Sequence, residues 1–160
     1  MSQNIFAEAA PHYWKAGLPV MPLHFQDKRP VMTSWQRYSD VMPTPEEQAQ
    51  WVQKYPQCNI GLPLGPASGV VVLDIDVDDI KVREAIEACV PKSPWRRIGK
   101  KGFVIAFKYN GTKTFRIKDY SGKSLIEHLS TRTQVVLPPS IHPDTKQPYT
   151  SDTNLWEVKH

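Results

Sequence analysis

The chain has few of the features that usually announce a protein class. Its only cysteines are Cys58 and Cys89, far apart and outside any Cys-x-x-Cys pair. Neither a disulfide framework nor a structural zinc site is therefore indicated. No apolar run approaches the ~20 residues of a membrane-spanning helix, and the N-terminus has no signal-peptide pattern, so a cytoplasmic protein with no membrane partner is expected. Internal repeats and low-complexity tracts are missing too. Acidic residues are absent from one long stretch: between Lys92 and Lys118 stand Arg96, Arg97, Lys100, Lys101, Lys108, Lys113 and Arg116, with no Asp or Glu. Such a run is either a solvated face or a phosphate-contacting surface.

What is there is an ordinary globular composition. The 160 residues are 40% apolar and 22% charged, with a net charge of +4. That is enough for one domain with a real core, or for two small lobes sharing one. The charge permits nucleic-acid or nucleotide binding without establishing it.

Residues 1–65 read as a helix–strand–helix–strand unit. Ile5, Phe6, Ala9, Tyr13 and Trp14 form a helical apolar stripe that Gly17-Leu18-Pro19 stops, and a short strand follows at Val20 to Leu23. After a turn-rich stretch, Gln26 to Pro30, Thr44-Pro45-Glu46-Glu47 is a strong helix start with a capping Thr and Pro at the first position. That helix carries Trp51, and Asn59 to Leu64 is the next strand. Trp14, Trp35 and Trp51 read as packing residues. Residues 66–160 read as an α+β unit: a strand ending in Asp74 and Asp76, a helix from Asp78 to Val90 with Ile80, Ala85, Ile86 and Cys89 available for an inward face, and strands at Phe103–Lys108, Leu125–Leu129 and Gln134–Leu137. A final short strand is expected around Trp156.

The chemistry concentrates at Val70-Val71-Val72-Leu73-Asp74-Ile75-Asp76. Alternation puts both acids on the face of Val70 and Val72, with Cα atoms roughly 6.5 Å apart. Two carboxylates beside an apolar core are costly unless cations neutralise them. The pair is either a divalent-metal site or a strand end open to water. Three other segments could join it. Arg96-Arg97-Ile98-Gly99-Lys100-Lys101-Gly102 is a basic glycine turn whose backbone can approach a phosphate. Glu127, in the apolar run Leu125 to Leu129, is either a third metal ligand or an edge residue facing water. Leu137-Pro138-Pro139-Ser140-Ile141-His142-Pro143 displays Ser140 and His142 in a stiff frame, suited to a binding site or to a structural corner.

Taken in order, these segments resemble the catalytic domain of the bifunctional DNA primase–polymerases, a branch of the archaeo-eukaryotic primase superfamily found in plasmids, phages and mobile elements. The resemblance runs from Ala16 to Tyr149 as one primase–polymerase domain. It is carried by Lys28-Arg29-Pro30 with Trp35, Trp51 with Asn59-Ile60-Gly61, Ser68-Gly69 leading to Asp74 and Asp76, Gly99 to Gly102, and Val136 to Pro143. It implies a two-lobed α+β fold, with the N-terminal αβ lobe (1–65) packed on an RRM-like sheet with flanking helices (66–160). It also implies Asp74, Asp76 and Glu127 as catalytic ligands of Mg²⁺ or Mn²⁺. Lys28, Arg97, Lys100, Lys101, Ser140 and His142 would bind the nucleoside triphosphate. Arg96, Lys108, Arg116 and Lys118, with Trp95 and Phe115 as aromatic neighbours, would contact single-stranded DNA template. The resemblance further implies a bacterial or archaeal host cell and a helicase domain or protein as a partner.

One position departs from the family pattern. Its second motif ends a glycine turn with a histidine that contacts phosphates, and here Val104 stands there. Either nearby Lys100, Lys101 or His142 takes over phosphate contact, or the site has lost normal polymerisation and the domain binds nucleic acid or nucleotide without catalysis. A metal-dependent nuclease is a third reading, weakened by the lack of a well-placed general base.

Overall fold

The computed structural model describes residues 3–158. The α+β class expected from the sequence holds: three α-helices accompany two antiparallel sheets among the described residues. The smaller sheet joins β1 (Met21–Leu23), β2 (Asn59–Pro63) and β8 (Gln134–Leu137), with β2 in the middle. The larger has the order β6-β7-β3-β5-β4-β9, built from β3 (Val70–Ile75), β4 (Arg96–Ile98), β5 (Phe103–Lys108), β6 (Phe115–Lys118), β7 (Ser124–Leu129) and β9 (Thr150–Ser151). Because β8 returns to pair with β2, a division at residue 65 does not coincide with the boundary between the sheets.

Helix α1 (Ile5–Lys15) and helix α2 (Pro45–Lys54) pack beside the small sheet. Ile5, Phe6, Ala9, Ala10 and Tyr13 recur at helical spacing and are buried. Helix α2 starts at the expected capping box, where Thr44 Oγ1 accepts from the Glu47 amide at 3.2 Å and Glu47 Oε1 accepts from the Thr44 amide at 3.5 Å. Trp51 meets Tyr38 edge-on with ring centroids 5.3 Å apart. One core runs from these helices through the small sheet to Val70, Val72, Trp95, Val104 and Ala106 of the large one. A second, smaller core of Ile75, Val77, Phe103 and Ile105 lies on the opposite face of the large sheet, under helix α3 (Ile80–Cys89).

Several expectations need correction. Helix α3 has no fully buried residue: Ile80 is 66% exposed and Cys89 is exposed, because only Ile86 and the following Val90 reach the smaller core. Trp156 sits in a 3-10 turn, Leu155–Glu157, and the last strand is β9 instead. Arg96 to Ile98, expected within a turn, form β4, and β6 is an additional edge strand. Trp95 is fully buried and so offers no stacking surface to a template. No helix among the described residues is long and apolar enough to cross a membrane.

Candidate functional site

Strand register assembles the site. Asp74 on β3 stands opposite Glu127 on β7 and opposite Val104 on β5, and Val104 in turn stands opposite Arg97 on β4. Directly paired residues project to the same face. One row across the large sheet therefore reads Arg116, Glu127, Asp74, Val104, Arg97. It lies on the face of Val70 and Val72, where the inter-sheet core gives way to polar side chains. Asp76 follows just beyond β3, its amide donating to the Leu125 carbonyl at 3.0 Å.

A cavity of about 280 Å³ opens at this margin. It is lined by Lys28, Asp74, Asp76, Arg97, Gly99, Lys100, Lys101, His142, Asp144 and Tyr149. A smaller one of about 120 Å³ adjoins it, sharing Lys28, Asp74, Arg97 and Tyr149. Seven residues singled out in the sequence thus meet at one place from four separate segments: Lys28, Asp74, Asp76, Arg97, Lys100, Lys101 and His142.

Each is held by identifiable chemistry. The Asp27 carboxylate accepts from the Lys28 amide at 2.6 Å, the Arg29 amide at 3.0 Å and the Arg29 guanidinium at 2.7 Å. The Arg29 hydrogen bonds hold its pKa down at about 2. This turn presents Lys28. Asn59, fully buried, clamps it to the proline-rich loop: Nδ2 donates to the carbonyls of Asp27 (3.1 Å) and Ile141 (2.8 Å), while Oδ1 accepts from the Ile141 amide (2.9 Å). His142 is buried, and its Nδ1 accepts from the Asp144 amide at 3.0 Å. The ring proton is therefore on Nε2. Burial, then the nearby Lys28, push its pKa below the ordinary histidine value. The hairpin carrying Lys100 and Lys101 depends on Gly102, at φ +62, where a Cβ would come 1.8 Å from the Ile75 carbonyl oxygen. Only glycine fits there.

Electrostatics sets the character of the pocket. Burial raises the Asp74 pKa; Arg97 opposes this, while Glu127 and Asp76 add to it. Lys101 Nζ lies 3.7 Å from Asp76 and 3.5 Å from Asp78. The Asp74/Asp76 pair offers hard oxygen donors, the chemistry that suits Mg²⁺ or Mn²⁺. The two residues fit such an ion. Glu127, expected as a third ligand, neighbours Asp74 but gives its carboxylate to Arg116 at 3.1 Å. Among the described residues no three His, Cys, Asp or Glu side chains converge as a metal cluster.

The remaining expected residues lie elsewhere. Ser140 is fully buried, its Oγ accepting from the Ile60 amide at 2.7 Å, so it braces the loop and does not line the cavity. Arg96 faces helix α3 and pairs with Glu87. Lys108 borders a separate apolar cavity beside Trp95, Arg116 is taken by Glu127, and Lys118 is exposed on the edge strand β6. The basic run is therefore divided between both faces of the sheet. Sequence reading missed Tyr149, whose ring carries the Arg97 guanidinium at 4.5 Å, and Asp144, 3.5 Å from Lys100. Neither had a signal beyond its place near the end of the motif series.

An acid pair, three lysines, an arginine and a histidine line one cavity, and together they offer hard oxygen donors and positive charge at the same place. The family model described as bifunctional DNA primase/polymerase, N-terminal, matches residues 10–156, and the chain belongs to that family. No curated protein matches the chain. The family is of the nucleotidyltransferase kind, with divalent metals expected and with DNA and nucleotides as its implied substrates.

Proposed function

We propose that the chain is a template-dependent primase/DNA polymerase module that serves the replication of a plasmid, phage or mobile element in a bacterial or archaeal cytoplasm. The observation that carries this reading is the pairing of Asp74 and Asp76 with a basic wall across one cavity, within a chain of this family. Asp74 and Asp76 would hold Mg²⁺ or Mn²⁺. Metal bound there would supply Lewis-acid activation of a primer 3′-hydroxyl and charge stabilisation at the leaving pyrophosphate.

The chain's own residues supply the remainder. Lys28 and Lys100 offset the charge on the phosphates, and Lys101 turns from Asp76 and Asp78 to the same task. His142, held with its proton on Nε2, donates a hydrogen bond without bringing a second charge. Single-stranded DNA would pass along the β6 edge, where Phe115 is half exposed and Lys118 is free to meet phosphate. A helicase domain or protein would open the template.

Val104 favours a second reading, a nucleic-acid- or nucleotide-binding domain without turnover, since it gives the site no donor beside Asp74. The test is incubation with single-stranded template, labelled nucleotides and Mg²⁺ or Mn²⁺, alongside Asp74→Ala. Metal-dependent product with the parent and none with the variant is expected. Binding without synthesis in both proteins would sink the polymerase reading in favour of the second, and template shortening would point to a nuclease.

A further inference from the structure

At the end of β3 away from Asp74, a cavity of about 220 Å³ opens between the start of that strand, the end of β5 and the 3-10 turn at Leu155–Glu157. Val70, Trp95, Ala106 and Leu155 wall it, all of them buried, with the half-buried Val158 beside them. Strand register accounts for the space. Ala106 is the smallest residue of β5 and stands opposite Val72, on the face that leads into the core between the sheets. The Trp95 wall is pinned in place: Ser93 Oγ accepts from the amides of Trp95 and Ala106, both at 3.2 Å, and donates to the Ala106 carbonyl at 2.6 Å. Trp95 also carries a buried Nε1 without a hydrogen-bond partner. Protein interiors leave few voids larger than a water molecule, and an apolar cavity of about 150 Å³ stays dry and takes up benzene. The volume here suits a ring with a short chain attached.

One charge narrows the occupant. Lys108 is the only charged residue of the lining. It pairs directly with Val70, so its side chain leaves the sheet on the face of the cavity. It is exposed, and among the described residues no carboxylate lies within 4 Å of it. A lysine stem lies along apolar surface while its ammonium stays in water, which puts the positive charge at the mouth. Apolar walls with a lone cation at the rim complement a molecule that is apolar at one end and anionic at the other. A polyphosphate would have to exchange water for valine and tryptophan, and a cation would meet only repulsion. We propose that this cavity binds a small hydrophobic carboxylate, its ring or short chain among Val70, Trp95, Ala106 and Leu155 and its acid group on Lys108. That gives Lys108 a ligand other than the template expected for it. No lining residue is shared with the cavities at Asp74, which lies roughly 13 Å along β3 from Val70. The site therefore stands whether or not the chain polymerises.

The test titrates 4-phenylbutyrate, 4-phenylbutanol and 4-phenylbutylamine into the protein at neutral pH, with no nucleotide, metal or template present. Calorimetry gives the affinities, and the assigned indole N–H resonance of Trp95 reports the place of binding. The carboxylate is expected to bind saturably and to shift that resonance. The alcohol should bind about 3- to 10-fold more weakly, the loss of one charge-assisted contact, and the amine more weakly still. Lys108→Gln should bring the carboxylate down to the affinity of the alcohol. Ala106→Leu, which fills the cavity, should abolish binding, with melting curves establishing that both variants are folded. Absence of saturable binding to the parent would overturn the assignment, as would carboxylate binding that leaves the Trp95 resonance in place. Equal affinity for the three compounds would overturn it too, marking a plain apolar socket of the kind a partner's side chain fills. These three results come from the parent alone and hold even if neither variant folds. Unchanged carboxylate affinity in folded Ala106→Leu would place the ligand elsewhere and contradict the proposal.

Discussion

On the α3 face of the large sheet, Arg96 pairs with Glu87, lies 4.1 Å over the Phe103 ring and takes Asp152 Oδ1 on its backbone amide at 3.0 Å. One residue along, on the opposite face, Arg97 has a carbonyl, a tyrosine ring and an unpartnered Nε. Both faces hold a cavity, about 430 Å³ near Arg96 and about 280 Å³ near Arg97. In the first, Glu87 already pairs with the Arg96 guanidinium, and Asp152 accepts from the Arg96 backbone amide. The second brings together two acids and a guanidinium with no carboxylate within 4 Å among the described residues, with Lys101 reaching Asp76 alone of the pair. Strand alternation puts these sequence neighbours on opposite faces, one with its charge paired inside the fold and one without a carboxylate partner among the described residues. The lesson is that a charge run says little until register tells which of its members are already satisfied.

The most drastic way to break this contrast is to move the hairpin that bounds the binding face. Gly102→Ala is expected to destabilise the fold by about 3 kcal/mol or more, because a positive φ is combined with a backbone clash at Ile75. Denaturant unfolding measures it, and a near-neutral result would mean that the turn carrying Lys100 and Lys101 is not pinned as described. Arg96→Ala sharpens the comparison. Loss of a half-exposed ion pair and a cation–π contact should cost about 1 kcal/mol while leaving nucleotide affinity at the parent value. Were Arg96→Ala to weaken nucleotide binding instead, the two faces would have been assigned the wrong way round.

The smallest effect is on pH dependence. His142 resists protonation when folded, so the unfolded chain takes up more protons as pH falls below the ordinary value of 6.5. Stability should therefore drop from pH 7 towards pH 5 by up to about 1.4 kcal/mol per pH unit, and level off below the folded pKa. His142→Gln should remove this component of the slope in melting curves taken across that range.

Much of the architecture was legible because it rests on local signals. The Thr44 capping box, the α1 stripe and the central strand with its two acids each follow from spacing alone. Meeting of the seven cavity residues was legible only through motif order, since Lys28, Asp74, Lys100 and His142 come from distant segments. What could not be read was set by partners remote in sequence. Ser140 looked like a ligand until Ile60, eighty positions away, claimed its hydroxyl. Glu127 stands beside Asp74 as expected, but its ion pair with Arg116, from an unforeseen edge strand, had no local signal. Trp95 lay in a basic run, and a run of charges carries no information on which residue turns inward. The exposed Ile80 shows the converse, that helical spacing offers an apolar face without guaranteeing something to cover it.

The central claim is that the Asp74 side of the sheet is electrostatically incomplete and is completed by a divalent cation with a nucleoside triphosphate. Thermal melting at pH 7.5 with Mn²⁺ and a deoxynucleoside triphosphate, each near a hundred times its dissociation constant, tests it most directly. Ligand linkage then gives about 2.7 kcal/mol, a rise of about 5 to 10 °C for a chain of this size. The parent and Arg96→Ala should show that rise; Asp74→Asn, relieved of a carboxylate whose ionisation burial opposes, should melt no lower than the parent without ligands and gain little from them. An equal rise in Asp74→Asn, or none in the parent, would contradict the claim.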